Sequence, residues 1–399
     1  MKPSGNIPSW WDAERMAAAM AHSNVTPSFV YDFAIVREKV AMLRAALPDG
    51  VGIHYAMKAN PLPAMVAAMV GLVDGIDVAS GGELAVALPA GAGHVSFAGP
   101  GKRDAELEAA IRAGITLNLE SENEATRALS IGERLGVTPR LAVRVNPDFA
   151  LKGSGMKMGG GAAPFGVDAE RVPVLVKRLI AAGADWRGFH IFAGSQALDA
   201  GAIGDTQAAT VALAARLADE IGVTPPLVNL GGGIGIPYFA GEKPVDVTMI
   251  GERLGDVLAS RAPVLADSKF AVELGRWLVG ECGVYLTRVI DRKESRGETF
   301  LVTDGGLHHQ LAASGNFGTV VRRNYPIAVA SRFTAEPSET VSVVGCLCTP
   351  LDRLGDQVGL PHADVGDVIA VFMAGAYGAS ASPSAFLGHS PANEVLIGV

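Results

Sequence analysis

The sequence has few cysteines and no long hydrophobic run, and each shortage excludes a class of protein. Only three of the 399 residues are cysteine. Three cysteines are too few for a disulfide framework, which favours a reducing, cytoplasmic location. No apolar run of about 18 residues or more is present, so no membrane-spanning helix is expected. The first residues lack the charged and then apolar layout of a signal peptide.

Basic residues are also fewer than acidic residues. The chain has 33 Lys and Arg against 41 Asp and Glu, a net charge of -8. A protein of this charge lacks the basic footprint of nucleic-acid binding. Hydrophobic residues make up 49% of the chain. That content is enough for a large core and for more than one domain.

Short apolar runs alternate with longer amphipathic stretches between residues 50 and 276. The runs are GIHYAMK (52–58), GIDVAS (75–80), HVSFAG (94–99), TLNLES (116–121), RLAVRVNP (140–147), GFHIFAGS (188–195), LVNLGGG (227–233) and FAVELGR (270–276). They show little polar alternation, which indicates parallel strands buried on both faces. Eight strand-helix units in about 220 residues favour an α/β fold of the (β/α)8 TIM-barrel type over a doubly wound sheet.

Helical patterns become rare after Arg276, where short strand-like runs separated by turns take over. We therefore expect a barrel over residues 34–276 and a mostly-β domain formed by residues 1–33 and 277–399. The glycine-rich insert 151–166 is either a functional lid or a crossing loop, and its role stays open. It lacks the spacing of a phosphate-binding P-loop.

Polar residues at the carboxyl ends of the strands are candidates for an active site, because that is where barrel enzymes place theirs. These residues are Lys58, Asp77, Arg144, His190, Ser195, the turn Gly231-Gly232-Gly233, Glu273, Gly275 and Arg276. A lysine, a glycine-rich turn and an arginine at one barrel mouth favour a phosphate-bearing cofactor held through a Schiff base, and pyridoxal 5'-phosphate (PLP) fits. No metal site is expected.

An ordered set of motifs then suggests a family. HYAMKAN, GIDVASGGEL, GPGK, HIFAGSQ, LGGGIGI, ELGR, GCLCTPLD and GAYG together resemble the fold-type III PLP-dependent decarboxylases, such as the diaminopimelate, ornithine and arginine decarboxylases. The resemblance spans about residues 27 to 397. It implies an alanine racemase-like barrel, a decarboxylase-type β domain and a homodimer with shared active sites.

The resemblance also implies roles for individual barrel residues. Lys58 would form the Schiff base with PLP, and Glu273 would keep the pyridine nitrogen protonated. The phosphate would be held by Ser195, Gly232, Gly233, Gly275 and Arg276. Asp77 and Arg144 would line the cofactor ring, or pair with each other.

Two residues of the mostly-β domain would complete the site from the other subunit. Cys348 would act as the general acid, although Cys346 lies two residues earlier and is a second candidate thiol. Tyr377 would reach the phosphate across the dimer interface.

Several positions depart from the common pattern. Phe192 stands where relatives commonly have a histidine that stacks on the cofactor, with His190 two residues earlier on the same strand face. Phe192 can stack on the ring but cannot carry a proton. Thr349 replaces the glutamate that tends to follow the cysteine in diaminopimelate decarboxylases. We therefore infer that diaminopimelate is not the best substrate.

The variant motifs are most similar to decarboxylases of exosortase-associated gene clusters and to an enzyme that decarboxylates a carrier-protein-bound glutamyl group. A tethered or elongated amino-acid substrate follows from this resemblance. Arg322, Arg323 and Tyr325 in RRNYP would contact its far end, with Arg276 and Tyr377, or would lie at a dimer interface.

The leading hypothesis is α-decarboxylation of an amino acid or of an amino-acid-derived substrate, either free or carrier-linked. The alternatives are an amino-acid racemase, diaminopimelate decarboxylase proper and a non-enzymatic PLP-handling protein. Glu273 argues against a racemase, because racemases similar to alanine racemase place an arginine at the pyridine nitrogen. The long region after Arg276 argues against a PLP-handling protein, since such proteins resemble a barrel alone.

Overall fold

The chain forms two compact units. The computed structural model describes residues 1–23, 25–153, 155–315 and 322–399. The barrel unit contains Val40–Gly235 and Val245–Gly275, and the β-rich unit contains Met1–Lys39, Ile236–Pro244 and Arg276–Val399.

The strands, in chain order, are β1 (Ser28–Asp32), β2 (Val51–Ala56), β3 (Gly75–Val78), β4 (Val95–Phe97), β5 (Thr116–Leu119), β6 (Arg140–Asn146), β7 (Met156–Lys157), β8 (Val167–Asp168), β9 (Asp185–Ile191), β10 (Gly194–Ser195), β11 (Leu227–Asn229), β12 (Lys269–Leu274), β13 (Gly283–Ser295), β14 (Glu298–Thr303), β15 (Ile327–Val329), β16 (Glu339–Val344), β17 (Arg353–Leu360), β18 (Val368–Val371) and β19 (Asn393–Ile397). The α-helices are α1 (Ala13–His22), α2 (Phe33–Ala46), α3 (Pro63–Val70), α4 (Gly81–Ala87), α5 (Asp104–Arg112), α6 (Glu122–Leu135), α7 (Val172–Ala181), α8 (Ala200–Ile221), α9 (Val247–Ala259) and α10 (Arg276–Val279).

A closed parallel sheet forms the centre of the barrel unit. In the described residues the strand order is β2-β3-β4-β5-β6-β9-β11-β12, and β12 pairs back to β2. These strands correspond to the eight apolar runs, and the predicted TIM-barrel fold is confirmed. All carboxyl ends point to one mouth, because neighbouring strands run parallel.

Helix α6 shows how the local sequence sets the barrel's outer layer. The hydroxyl of Ser121 accepts a hydrogen bond from the Glu124 backbone N–H and so caps the first turn. Gly136 ends the helix with φ +65°, a left-handed conformation that suits glycine. Ala125, Ala128 and Ile131 are buried. The other polar residues of the helix are half-buried or exposed, whereas Glu124 is buried.

The glycine-rich insert contributes a short strand next to the segment that follows β9. Strand β7 pairs antiparallel with β10, so that Lys157 is opposite Gly194 and Met156 opposite Ser195. Ser154, which belongs to the insert, lies outside the described residues. The insert therefore borders the HIFAGSQ motif.

The β-rich unit is built around a second sheet. Its strand order is β15-β18-β13-β14-β16-β17, and β1 pairs with both β13 and β19. Strand β14 runs parallel to β16, and β1 runs parallel to β19. The other pairings of this sheet are antiparallel. The mostly-β domain expected from the sequence is present.

The segment Ile236–Pro244 groups with the β-rich unit, whereas the sequence analysis places it inside the barrel range 34–276. Its backbone interrupts the barrel segments Val40–Gly235 and Val245–Gly275. Within the described residues, no helix has the length and apolar character needed to cross a membrane.

Candidate active site

Lys58 follows directly on the first barrel strand. Strand β2 ends at Ala56, and a single 3-10 turn, Met57–Ala59, carries the lysine. Met57 and Ala59 are buried, whereas 43% of the Lys58 side chain is exposed. Its Nζ lies 5.5 Å from the ring centroid of Phe192. The two buried residues on either side of Lys58 thus fix the turn, and the lysine amine lies at the mouth of the barrel.

Glu273 lies opposite this amine near the end of β12. Its Oε1 is 3.8 Å from Lys58 Nζ, and its Oε2 is hydrogen-bonded to His190 Nε2 at 2.6 Å. Glu273 and His190 are 5% and 3% exposed. The structure therefore brings the predicted lysine, carboxylate and histidine into one group.

The surroundings keep the Glu273 carboxylate ionised. Burial alone would raise its pKa, because a low-dielectric site disfavours charge. The hydrogen bond and charge of His190, together with the nearby charges of Lys58 and Arg144, outweigh burial and lower the pKa of Glu273. A buried anion is the group required opposite a cationic ring nitrogen.

The glycine turn after β11 lies in close contact with the neighbouring strand ends. A Cβ at Gly232 would come within 2.0 Å of the Glu273 carbonyl oxygen. Gly233 has φ +100°, and a Cβ there would lie 2.7 Å from Leu151 Cδ2. A larger residue would therefore displace the turn at either position. The carbonyl of Gly233 also accepts the Ala197 N–H at 2.9 Å, which ties the turn to the segment after Ser195.

A phosphate group fits the donors in this region. Ser195 supplies a half-buried hydroxyl, and the three glycines supply backbone without side chains of their own. Such backbone concavities and hydroxyls are typical anion sites. Gly275 holds the end of β12 against the lysine turn, because a Cβ there would lie 2.8 Å from both the Ala56 carbonyl oxygen and Ala59 Cβ.

Asp77 and Arg144 have separate partners and do not pair with each other. The Asp77 carboxylate accepts a hydrogen bond from Ser96 Oγ, and its Oδ2 is 3.5 Å from His54 Nδ1. Arg144 Nη1 donates to Glu120 Oε1 at 2.9 Å. These five residues are all buried. The alternative that Asp77 and Arg144 pair together is wrong.

Glu120 is a carboxylate with several hydrogen-bond partners, and it was not among the residues predicted from the sequence. Its carboxylate accepts hydrogen bonds from the Gly99 N–H at 2.6 Å and the Gly166 N–H at 2.8 Å. Burial opposes its charge, but Arg144, Lys102 and the Gly166 N–H together lower the pKa of Glu120. It lies in the run TLNLES and directly follows β5, so the rule applied to the other strand ends points to it as well.

Glu83 is a second residue that the sequence analysis did not select. Its Oε2 accepts the Ala79 N–H at 2.7 Å. Burial raises the pKa of Glu83, and the positive charge of Lys58 acts in the opposite direction. It lies in the quoted motif GIDVASGGEL, although helix α4 rather than a strand carries it.

Arg276 belongs to an aromatic group in the β-rich unit. Its Nη1 donates to the Tyr238 hydroxyl at 2.8 Å, and its guanidinium lies 4.7 Å from the Tyr377 ring centroid. Tyr377 has φ +57°, a left-handed backbone that is uncommon for tyrosine. Tyr238 was not predicted, because it lies in the segment assigned to the barrel.

The guanidinium of Arg276 has capacity left for an anion. Its Nε is buried and has no hydrogen-bond partner in the described part of the chain. Burial opposes its charge, yet Tyr238, Tyr377 and Tyr325 outweigh this and raise the pKa of Arg276. A permanently charged fork with an unused donor is suited to phosphate or carboxylate.

The RRNYP residues have different environments in the β-rich unit. Arg323 is exposed, stacks 3.7 Å from the Phe239 ring centroid and contacts Glu242 Oε1 at 3.1 Å. Among the residues that the structure describes, Arg322 makes long contacts to backbone carbonyls, at 3.4 and 3.5 Å. Tyr325 is buried, with its ring 4.9 Å from that of Tyr238.

Cys348 lies on an ordered turn and is exposed. Asp352 fixes this turn, because its carboxylate oxygens accept the Leu307 N–H at 2.6 Å and the Leu347 N–H at 2.9 Å. Cys346 is half-buried, and burial raises the pKa of its thiol. The two thiols therefore differ in access, and Cys348 is the accessible one.

Comparison with protein families gives a match over most of the barrel. Residues 33–280 match the pyridoxal binding domain of the pyridoxal-dependent decarboxylases. This range contains the Lys58, His190 and Glu273 group described above.

Known proteins match over nearly the full chain. The L-glutamyl-[BtrI acyl-carrier protein] decarboxylase of Niallia circulans is 35% identical, covering 93% of this chain and 88% of that protein. A diaminopimelate decarboxylase of Methanothermobacter thermautotrophicus is 31% identical, covering 92% and 85%. The crystal structure of the Helicobacter pylori diaminopimelate decarboxylase with L-lysine matches with a TM-score of 0.83 at 26% identity, covering 96% and 94%.

The family, cofactor and enzyme class expected from the sequence are thereby confirmed. The barrel and the mostly-β sheet agree with the solved relatives, and the relatives that these comparisons name are decarboxylases. The chain belongs to the pyridoxal-dependent decarboxylase family and is a PLP-dependent carboxy-lyase.

Proposed function

We propose that the protein removes the α-carboxylate of an amino acid or amino-acid-derived substrate, with Lys58 as the residue that holds PLP. The observation that carries this proposal is the group formed by Lys58, Glu273 and His190. An amine at the barrel mouth lies 3.8 Å from a buried carboxylate, and that carboxylate is fixed by a histidine. Ser195 and the glycine turn supply donors of the kind that the cofactor phosphate needs.

The residues of the chain would have separate roles in the reaction. PLP, when bound, accepts the electron pair that remains on the α-carbon after CO2 leaves. Glu273 would hold the proton on the ring nitrogen, since its low pKa keeps it anionic. His190 orients Glu273 through the 2.6 Å hydrogen bond. Phe192, whose ring lies beneath the Lys58 amine, would pack against the cofactor ring.

Cys348 would return a proton to the α-carbon. Its thiol is exposed, and the turn that carries it is fixed by the two hydrogen bonds to Asp352. We propose that it acts in the active site of a second copy of the chain, so that the enzyme is a homodimer. Tyr377 packs on Arg276 within the same chain, in an uncommon backbone conformation, so it would act beside that arginine and not from the partner as the sequence suggested.

A substrate with an extended or carrier-linked end is favoured over diaminopimelate. The 35% identity to a decarboxylase of an L-glutamyl acyl-carrier protein supports this substrate class. Thr349 is neutral and follows Cys348, so it offers no charge to a second amino-acid head group. Exposed Arg323 would contact the far end of such a substrate.

The decisive experiment follows CO2 release from the PLP-loaded protein. The substrates are glutamate, diaminopimelate, ornithine and lysine, each offered free, and glutamate also linked to an acyl-carrier protein. We expect release from the carrier-linked or another elongated substrate, at a higher kcat/KM than from diaminopimelate. An inverted amino acid without CO2 would establish a racemase instead, and a preference for diaminopimelate would contradict the substrate assignment.

Peptide mapping tests the role of Lys58 independently of the substrate. Borohydride reduction fixes a lysine-bound cofactor to its peptide, and we expect the label on the peptide that contains Lys58. Lys102 provides an internal control, because it is buried and donates to the Gly99 carbonyl at 2.6 Å. A label on any peptide without Lys58 would contradict the assignment.

A further inference from the structure

Three side chains from separate loops of the β-rich unit meet outside the group described above. His308 follows β14, Cys346 follows β16, and His389 precedes β19. One ligand atom from each, two ring nitrogens and the Cys346 Sγ, lie within 4.8 Å of one another. Imidazole nitrogen and thiolate sulfur are the preferred ligands of Zn2+.

The surroundings of His308 give the strongest indication that a metal ion binds here. Its side chain is 0% exposed, and neither ring nitrogen has a hydrogen-bond partner within the described ranges. A buried imidazole with two unpaired nitrogens is rare, because each lost hydrogen bond to water costs free energy. Its ring centroid lies 4.9 Å from that of His389. A metal ion between these rings would satisfy one of the nitrogens.

The distance between Cys346 and His389 is close to the distance between two ligands of one zinc ion. The Cys346 Sγ lies 3.9 Å from Nδ1 and 4.0 Å from Nε2 of His389. Tetrahedral zinc, with Zn–S of about 2.3 Å and Zn–N of about 2.0 Å, places sulfur and nitrogen roughly 3.5 Å apart. The distance between Cys346 and His389 is therefore a few tenths of an ångström longer than the ligand spacing, and the ligand atom of His308 lies within 4.8 Å of both.

Neighbouring polar groups are engaged elsewhere. His309, whose ring stacks 3.7 Å from His308, contacts the Tyr285 hydroxyl at 3.0 Å through Nδ1 and the Ser390 carbonyl at 2.8 Å through Nε2. Asp352 accepts two backbone N–H groups. The described residues thus offer three ligands, which leaves a fourth tetrahedral position for water, as in zinc sites with an exchangeable ligand.

We propose that His308, Cys346 and His389 form a binding site for Zn2+ or a similar divalent transition metal. Binding forms one metal–sulfur and two metal–nitrogen bonds, releases the Cys346 thiol proton to solvent and changes no oxidation state. Hard ions such as Mg2+ are excluded, because the site lacks oxygen ligands. The sequence analysis expected no metal site, since the three ligands belong to separate motifs.

The site would connect segments that are far apart in the chain. Cys346 lies two residues before Cys348, so the metal would also restrain the turn that carries the exposed thiol. The metal would further tie this turn to the region of His389, beyond the last 3-10 turn, Phe386–Gly388. This proposal does not depend on the substrate or on the role of Cys348.

Cobalt titration of the full-length, PLP-loaded protein tests the proposal. After chelator treatment and dialysis, Co2+ is added without substrate, and the long-wavelength d–d bands are followed. We expect one equivalent per chain, with tetrahedral bands that Zn2+ abolishes by displacing Co2+. Failure to bind one equivalent, or octahedral bands alone, would overturn the proposal.

Variants assign the ligands. Cys346→Ser and His389→Gln are each expected to weaken Co2+ binding by more than about tenfold. Cys348→Ser and His362→Gln are matched controls, because they remove a nearby thiol and an exposed histidine of the same unit; both should retain wild-type affinity. Wild-type affinity in Cys346→Ser, or loss of binding in Cys348→Ser, would sink the assignment. Zn2+ should also raise Tm in the wild type and not in Cys346→Ser, a readout separate from activity.

Discussion

Glu273 divides its two carboxylate oxygens between two neighbours, and the shorter contact is the one to His190. The bond between Glu273 Oε2 and His190 Nε2 measures 2.6 Å, and both side chains are almost fully buried. The other oxygen, Oε1, faces the Lys58 amine at 3.8 Å. The histidine therefore fixes the direction and the charge of the carboxylate without occupying the oxygen that faces the amine.

Removal of this histidine should change the pH dependence of the enzyme. In the wild type, His190 helps to lower the pKa of Glu273, so the carboxylate remains ionised as the pH falls. In His190→Gln the upward effect of burial prevails and the pKa of Glu273 rises. We expect the acid limb of the kcat/KM profile to move to higher pH. His362→Gln, at an exposed histidine, should leave the limb in place, and an unmoved limb in His190→Gln would contradict the argument.

Neutralising Glu273 should separate cofactor binding from turnover. Glu273→Gln keeps the shape of the side chain but removes the anion needed opposite a protonated ring nitrogen. We expect PLP to remain bound, as measured by cofactor absorbance after gel filtration, while CO2 release falls by at least about 10²-fold. The control is Glu252→Gln, at an exposed position on α9, which should behave as wild type. Near-normal CO2 release from Glu273→Gln would remove the carboxylate from the mechanism.

Mixing two inactive variants tests the shared active site. Lys58→Ala and Cys348→Ala should each lose most activity, by about 10²–10⁴-fold for a missing proton donor. If each site takes its lysine from one chain and its cysteine from the other, the reassorted mixture should regain about a quarter of wild-type activity, since half of the dimers are mixed and each has one complete site.

The outcome of the mixing experiment is unambiguous if subunit exchange is verified by differently tagged chains. The single variants, taken through the same denaturation and refolding, are the controls and should stay inactive. A mixture that exchanges subunits but regains no activity would contradict a site built from two chains.

A buried ion pair outside the reacting groups should matter for stability. Lys102 Nζ lies 2.7 Å from Glu124 Oε1, and the two residues are 4% and 2% exposed. Lys102→Met leaves the Glu124 charge buried without its partner, which should cost about 3–5 kcal/mol in the free energy of unfolding measured with urea. Lys102→Met combined with Glu124→Gln should recover part of the loss.

An exposed ion pair in the same region supplies the control for Lys102. Arg112 contacts Glu108 at 2.8 Å on α5, with side chains 60% and 29% exposed. Arg112→Met should cost no more than about 1 kcal/mol, because water screens the pair. Equal losses in Arg112→Met and Lys102→Met would show that burial does not set the cost.

The barrel could be predicted because parallel strands leave a strong pattern in the sequence. Each of the eight apolar runs overlaps a strand of the closed sheet, and the position of Lys58 after its strand follows from that pattern. Partners across the site were harder to predict. Arg144 pairs with Glu120 rather than Asp77, and the choice depends on which inward-facing side chains come into register around the barrel.

Residues whose partners lie far away in the sequence were not predicted. Tyr238 holds Arg276, but it lies in a segment that appears in the sequence as part of the barrel. His308, Cys346 and His389 share no motif, and only the folding of the second sheet brings them together. Periodicity reports which face of an element is buried. It carries no information on which distant loops meet.

The path of the chain also determines how the protein can be divided. The backbone passes from one unit to the other after Lys39, after Gly235, after Pro244 and after Gly275. No single cut yields an intact half, since a fragment ending at Gly275 would retain Met1–Lys39 and Ile236–Pro244 without Arg276–Val399 of the same unit. Gene fusions and truncated expression fragments made at one boundary should therefore aggregate. The barrel can be inherited or engineered independently only if the Ile236–Pro244 excursion is replaced by a short link.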